Sequence, residues 1–202
     1  MWKHLPRTIL AAAIFVTTVV DVSTATDAGP VVTPPAVDLV DMPPEFAAAA
    51  TWSTELFAQA ELVLPPLRYM FHGDDTEPCS GRPGMHHPVD GVNVIEICTS
   101  EMSNAMQGTI LHETAHAWLD HTLTDQRKAA FQRLRGWTYW RDYDRAAWHE
   151  NGTEQAAEIM VWGLIDRPLA MIRINQHSCD ELDAGYRTLT GQAPLHGFRD
   201  EC

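Results

Sequence analysis

The chain lacks what several large protein classes require. It has no excess of positive charge: 14 Lys and Arg against 27 Asp and Glu leave a net charge of −13. With a pI near 5.0 it carries no electrostatic footprint for nucleic acid or an anionic membrane, and the acidity serves solubility. No internal repeat is present, which sets solenoids and propellers aside. None of the four cysteines, Cys79, Cys98, Cys179 and Cys202, stands in C-x-x-C spacing, which argues against a four-thiolate zinc site. The chain also has no apolar run of the ~20 residues that a transmembrane helix needs.

What it does have begins with an export signal. Lys3 and Arg7 precede an apolar run from Thr8 to Val20, which Asp21 stops, and Ser23-Thr24-Ala25 supplies small residues for cleavage. Residues 1–25 are therefore expected to be a signal peptide, with an uncleaved anchor as the alternative. No cysteine lies near the cut to carry a lipid. The mature chain is expected to be secreted, without stable membrane association, and to act as a monomer. An even number of cysteines in an exported chain suggests two disulfides. Four cysteines allow three pairings; Cys79–Cys98 and Cys179–Cys202 are favoured because each closes a short loop or ties down the C-terminus.

The 202 residues, 45% of them hydrophobic, suffice for one domain with extensions. Residues 26–42, rich in Pro, Val and Asp, read as a disordered linker or pro-segment, and 43–202 as the folded domain. Pro43-Pro44-Glu45 opens a helix that continues from Phe46 to about Leu62 and is stopped by Pro65-Pro66. Leu67 to Phe71 reads as a short strand, and His72 to Gly91 as a loop containing His86 and His87. Val92 to Cys98, rich in β-branched residues, is the clearest strand, with Thr99 or Ser100 as the following cap or turn. Helices are expected over about 103–121, from Asp125 to Leu134 after Thr124, from Glu154 to about Ile165 with Thr153 or Gly152 as cap, and from Ser178, where Ser178 and Glu181 form a capping-box pattern. The fold class is thus α+β.

The strongest motif is His112-Glu113-Thr114-Ala115-His116, an H-E-x-x-H pattern. On a helix, residues four apart share a face, so both imidazoles aim at one point and Glu113 projects beside them. A catalytic zinc site needs a third protein ligand and one open position. Glu154-Gln155-Ala156-Ala157-Glu158 offers two carboxylates one turn apart: one to bind zinc, the other to take a hydrogen bond from a ligand histidine. The small Ala156 and Ala157 would let this helix approach the motif helix closely. Asp120, one turn after His116, either faces the metal or is a helix-surface acid. His86 and His87 are neighbours whose side chains diverge, and they are read as loop histidines. Asn151-Gly152-Thr153 matches an N-glycosylation pattern, but a glycan abutting Glu154 would obstruct the site.

His112-Glu113-Thr114-Ala115-His116 followed by Glu154-Gln155-Ala156-Ala157-Glu158 resembles the gluzincin metallopeptidases, a group that includes thermolysin-like and lethal-factor-like enzymes. It also resembles small secreted zincin-like proteins of bacteria. The resemblance implies a zincin-like fold in which a small mixed sheet and a backing helix support an active-site helix, with a mostly helical C-terminal part. It implies Zn2+ held by His112, His116 and Glu154, with Glu158 supporting His112. The separation from His116 to Glu154 is longer than in thermolysin-like enzymes, which leaves Glu150 and Glu158 as rival ligands. No third histidine follows at the metzincin position. In the resembled folds the strand before the active helix is a sheet edge that pairs with extended substrate, and Val92 to Cys98 occupies that place.

The function implied is a secreted zinc peptidase acting on peptide or protein substrates. Glu113 would serve as the general base for a zinc-activated water. Tyr139, Tyr143 and His149, all preceding the ligand helix, are candidate donors to the oxyanion. The alternative is a non-catalytic, metal-stabilised secreted binding protein, in which the same ligands serve structure and Glu113 has no task.

Overall fold

A computed structural model describes residues 36–169, 177–197 and 202. The expected signal peptide lies outside the described residues. Within them the chain is a mixed α/β fold with a four-stranded sheet and five α-helices. β1 (Val37–Val40) leads to α1 (Pro44–Gln59) and β2 (Leu67–Phe71). β3 (Gly84–Val89) and β4 (Val92–Ile97) follow as a hairpin. α2 (Asn104–Thr122), α3 (Asp125–Arg135), α4 (Gly152–Leu164) and α5 (Cys179–Thr190) complete the order, with a single 3-10 turn at Trp148–Glu150. The sheet order is β1-β2-β4-β3, with β1, β2 and β4 parallel and β3 antiparallel to β4.

Two expectations are corrected here. The segment read as a linker contains β1, whose Val37 to Val40 pair in register with Leu67 to Met70. The segment read wholly as loop contains β3, and it is β3 rather than Val92 to Cys98 that forms the sheet edge; β4 lies inside, between β2 and β3. Asp90 and Gly91 sit at φ 50° and 81° between the directly paired Val89 and Val92. That two-residue turn is the one whose twist suits a tight hairpin, and Asp-Gly favours it. Pro88 is tolerated because an edge strand need not donate on both sides.

The other elements start and stop for local reasons. Pro44 opens α1 where its missing N–H costs nothing. Ser103, rather than Thr99 or Ser100, caps α2: its Oγ accepts from the Met106 N–H at 3.1 Å. Thr124 caps α3 in the same way. Ser178 and Glu181 form the expected reciprocal box at α5, with the Ser178 N–H donating to Glu181 Oε2 at 2.7 Å. α4 begins two residues before Glu154, at Gly152, because Tyr139 and Trp140 carbonyls accept from the Gly152 and Thr153 N–H groups at 2.9 and 2.8 Å.

The core joins α1, α2 and the sheet through Phe46, Phe57, Ile95, Ile97, Ile110 and Leu111, and continues through Met160, Trp162, Leu182 and Tyr186 between α4 and α5. A buried polar clasp crosses it. Thr114 Oγ1 donates to the Ile110 carbonyl at 2.7 Å, and Ser53 Oγ and the Tyr69 hydroxyl approach it at 3.0 and 2.9 Å. Three hydroxyls thus tie α2 to α1 and β2 at the level of the H-E-x-x-H turn. Gly163 lets α4 meet α5: a Cβ there would stand 2.1 Å from the Tyr186 ring. Both disulfides are Cys79–Cys98 and Cys179–Cys202, the favoured pairing. Among the described residues, no helix is long and apolar enough to cross a membrane.

Candidate metal centre and cleft

α2 and α4 pack against each other, and Ala115, Ala156 and Ala157 on them are fully buried. His112 and His116, one turn apart on α2, turn their Nε2 atoms to within 3.0 Å of each other. Glu154, in the first turn of α4, places Oε2 3.1 Å from each. The three residues are 8, 6 and 4% exposed. They are the group of metal-ligating side chains that converges among the described residues.

The triangle fits a tetrahedral ion. Ligands ~2.0–2.1 Å from zinc stand about 3.3–3.4 Å apart, so the observed edges need open by only about 0.3 Å. The electrostatics agree. Burial works against a charge on His112, but Glu154 and Glu158 outweigh it and hold its pKa well above the ordinary value. Burial likewise works against a charge on Glu154, and His112 and His116 outweigh it, holding the carboxyl well below the usual range. The same carboxylates that favour a charge on His112 would favour a divalent ion held between the three side chains.

The supporting shell is also built. Glu158 Oε1 lies 3.2 Å from His112 Nδ1, on the far side of the ring from the triangle, at ion-pair distance. Trp148 stacks on the same ring at 5.9 Å. Behind His116, Thr153 Oγ1 stands 3.4 Å from Nδ1, and Arg141 Nη2 reaches the same hydroxyl at 3.4 Å. The Tyr143 hydroxyl donates to the second oxygen of Glu154. Such partners orient ligands and tune their basicity.

The remaining expected residues fall as follows. Glu113 is half-buried and lines both cavities that open beside the triangle. Glu150 points away, its Oε2 accepting from the Ala147 N–H at 3.0 Å. Asp120 accepts from Arg141 at 3.0 Å on both oxygens. Of the three candidate oxyanion donors, Tyr143 lines the cleft, whereas Tyr139, under the Arg145 guanidinium at 5.2 Å, and the exposed His149 line neither of its two cavities. Asn151 is fully buried and its side chain bonds Asp142 and Ala147, which leaves no room for a glycan.

His86 corrects the reading of loop histidines. It lies on β3, its ring stacks 6.4 Å from that of His116, and Nε2 is 2.9 Å from Asn93 Oδ1. Burial, opposed by the Asn93 bond, pushes its pKa down to about 4. His87 projects to the other face of the sheet, 3.6 Å from Glu96, which also bonds His72.

The cleft has two chambers separated by Arg82, Gly84, Glu113 and Trp148, which line both. One, about 270 Å³, is walled by Gly108, Thr109, Val161 and Leu169; the other, about 220 Å³, by Met85, His86, His116, Arg141, Tyr143 and Glu154. Gly84 brings the edge strand against α2: a Cβ there would lie 2.9 Å from the Thr109 methyl and 3.4 Å from Glu113 Cγ. Arg82, Arg141, Trp148 and Thr153 carry no sequence signal for the site. β3 does, in the Asp90-Gly91 turn ahead of a β-branched run. Comparison of the chain with family models, curated proteins and solved structures finds no match.

Proposed function

We propose that the chain is a secreted zinc-dependent peptidase of zincin-like fold. One observation carries this reading: three buried ligand atoms converge at the floor of a cleft in which Glu113, no member of the triangle, stands at the junction of both chambers. A site built only for stability needs no carboxylate there and no cleft. Two disulfides accord with an oxidising, extracellular setting. Zinc is favoured because two imidazoles and one carboxylate on a tight triangle leave a position open.

Bound there by His112, His116 and Glu154, zinc would supply Lewis acidity, activating a water molecule and polarising a carbonyl. The rest falls to the chain. β3, as the sheet edge beside the cleft, offers its free backbone groups to an extended peptide. Glu113 takes the proton of the attacking water and delivers it to the departing amide nitrogen. Tyr143, which lines the chamber and donates to Glu154, would turn its hydroxyl to the oxyanion. Glu158 and Thr153 keep the imidazoles in orientation.

The test is Glu113→Gln, assayed on a mixed peptide library and for bound metal. Retained metal with cleavage lowered by at least about 100-fold is expected, the usual loss for a general base. Full cleavage by the variant would sink the reading. A parent chain that binds zinc and cleaves nothing would favour the metal-stabilised binding protein instead.

A further inference from the structure

Resting on the peptidase reading, we infer that the chamber beside His116, between Arg82 and Arg141, is a subsite for a carboxylate, supplied by an acidic side chain or by the C-terminus of the substrate. The two chambers differ in chemistry. That beside Glu158 is walled by Pro83, Gly108, Thr109, Val161 and Leu169, with Arg82 at its boundary as its one guanidinium. That beside His116 has two guanidinium groups and the Tyr143 phenol. Its own carboxylates are committed: Glu154 belongs to the ligand triangle and Glu113 to the junction.

The two arginines are not equivalent. Arg141 is held by Asp120 on both oxygens. Elsewhere Arg68, Arg145 and Arg187 are paired with Asp38, Asp142 and Asp183. Arg82 has no carboxylate partner among the described residues; its contact is with the face of the Tyr143 ring, 5.9 Å from the centroid. In a chain with 27 acids and 14 bases, Arg82 is a cation without a carboxylate partner that lines both chambers of the cleft. Guanidinium matches a carboxylate with two parallel donors, which makes it the apt group for this task.

Arg82 is also held in place from behind. Its N–H donates to the Cys79 carbonyl at 3.0 Å, and the Cys98 N–H donates to the Pro83 carbonyl at 2.9 Å. The Cys79–Cys98 disulfide joins those two strands of chain, with Cys79 fully buried. The backbone carrying Arg82 is thus set before substrate arrives, which lowers the entropy lost on binding.

The experiment uses the zinc-loaded Glu113→Gln chain, which holds peptide without turnover, and capped alanine-rich hexapeptides bearing Glu, Gln or Lys at each position in turn. Fluorescence anisotropy should show one position where Glu binds about 5-fold to 10-fold tighter than Gln, as for a half-exposed ion pair. Adding Arg82→Ala should erase the preference, Arg82→Lys should keep part of it, and Arg82→Glu should transfer it to Lys. A free C-terminus in place of the cap separates the two carboxylate sources: a gain only with the free C-terminus assigns the site to that group. Thermal midpoint and zinc content check that each variant folds. Equal affinity for Glu and Gln peptides together with no gain from a free C-terminus, or a preference unmoved by Arg82→Glu, would overturn the inference. Cleavage by the chain with Glu113 intact is scored separately, so loss of the peptidase reading leaves a visible carboxylate preference standing.

Discussion

His112, Glu113 and His116 are legible in sequence because a helix converts a spacing of four into one face. Glu154 is legible for the same reason, once a second helix with small residues is expected to lie against the first. His86 was not, since its place depends on a strand pairing that only tertiary structure reveals. It makes a prediction at this scale. Its side chain is 2% exposed, and burial holds its pKa down at about 4, below its ordinary 6.5. A folded-state pKa depressed in this way means the unfolded chain binds the proton first. Stability from a neutral His86 is complete above about pH 6.5 and declines as pH falls to about 4, by an amount on the order of 2–3 kcal/mol. Asn93, Asp120, His116 and Arg141 set the field around it. Denaturant unfolding of the chelated protein across that window should show the decline, and His86→Gln should flatten it. An identical pH slope for parent and variant would contradict the account.

Among the elements, α1, β2, β4, α3 and α5 were legible because their signals are local: a proline start, a β-branched run, a Thr cap, a capping box. β1 was hidden by the prolines around it, and β3 by Gly84, Pro88 and two histidines, residues poor in strand propensity that an edge accepts. That edge governs the cleft. Gly84 packs on Thr109 and near Glu113, where an added methyl would press on a β-branched side chain fixed on α2. On the peptidase reading, Gly84→Ala should therefore lower peptide cleavage by about 10-fold or more while leaving zinc stoichiometry intact, since displacing a general base such as the proposed Glu113 by a fraction of an ångström is costly. Cleavage kinetics beside metal analysis would check this, and unaltered kinetics would show that the edge strand does not set the position of Glu113.

For the whole molecule, the disulfides hold different parts. Cys79–Cys98 braces the turn before β3 against the end of β4, whereas Cys179–Cys202 closes a 23-residue separation around α5, away from the cleft. Replacing Cys179 and Cys202 by serine should cost about 3 kcal/mol of stability through the freer unfolded chain. Zinc affinity should be unchanged, because the proposed ligands sit on α2 and α4. Thermal unfolding with zinc titration separates the two effects, and a large loss of affinity would mean that α5 governs the site. The pairing was legible from loop length and position. The two-chambered cleft was not, because it arises where β3, α2, α4 and the segment before α4 meet, a convergence without a local signature.

His112, His116 and Glu154 are proposed to form one metal site, and competing the purified chain against a chromophoric chelator for zinc, beside Glu154→Ala and Glu150→Ala, tests it. The account predicts one equivalent bound by the parent, affinity lowered at least about 100-fold by Glu154→Ala, and no change with Glu150→Ala. One equivalent bound by Glu154→Ala at parental affinity would contradict it.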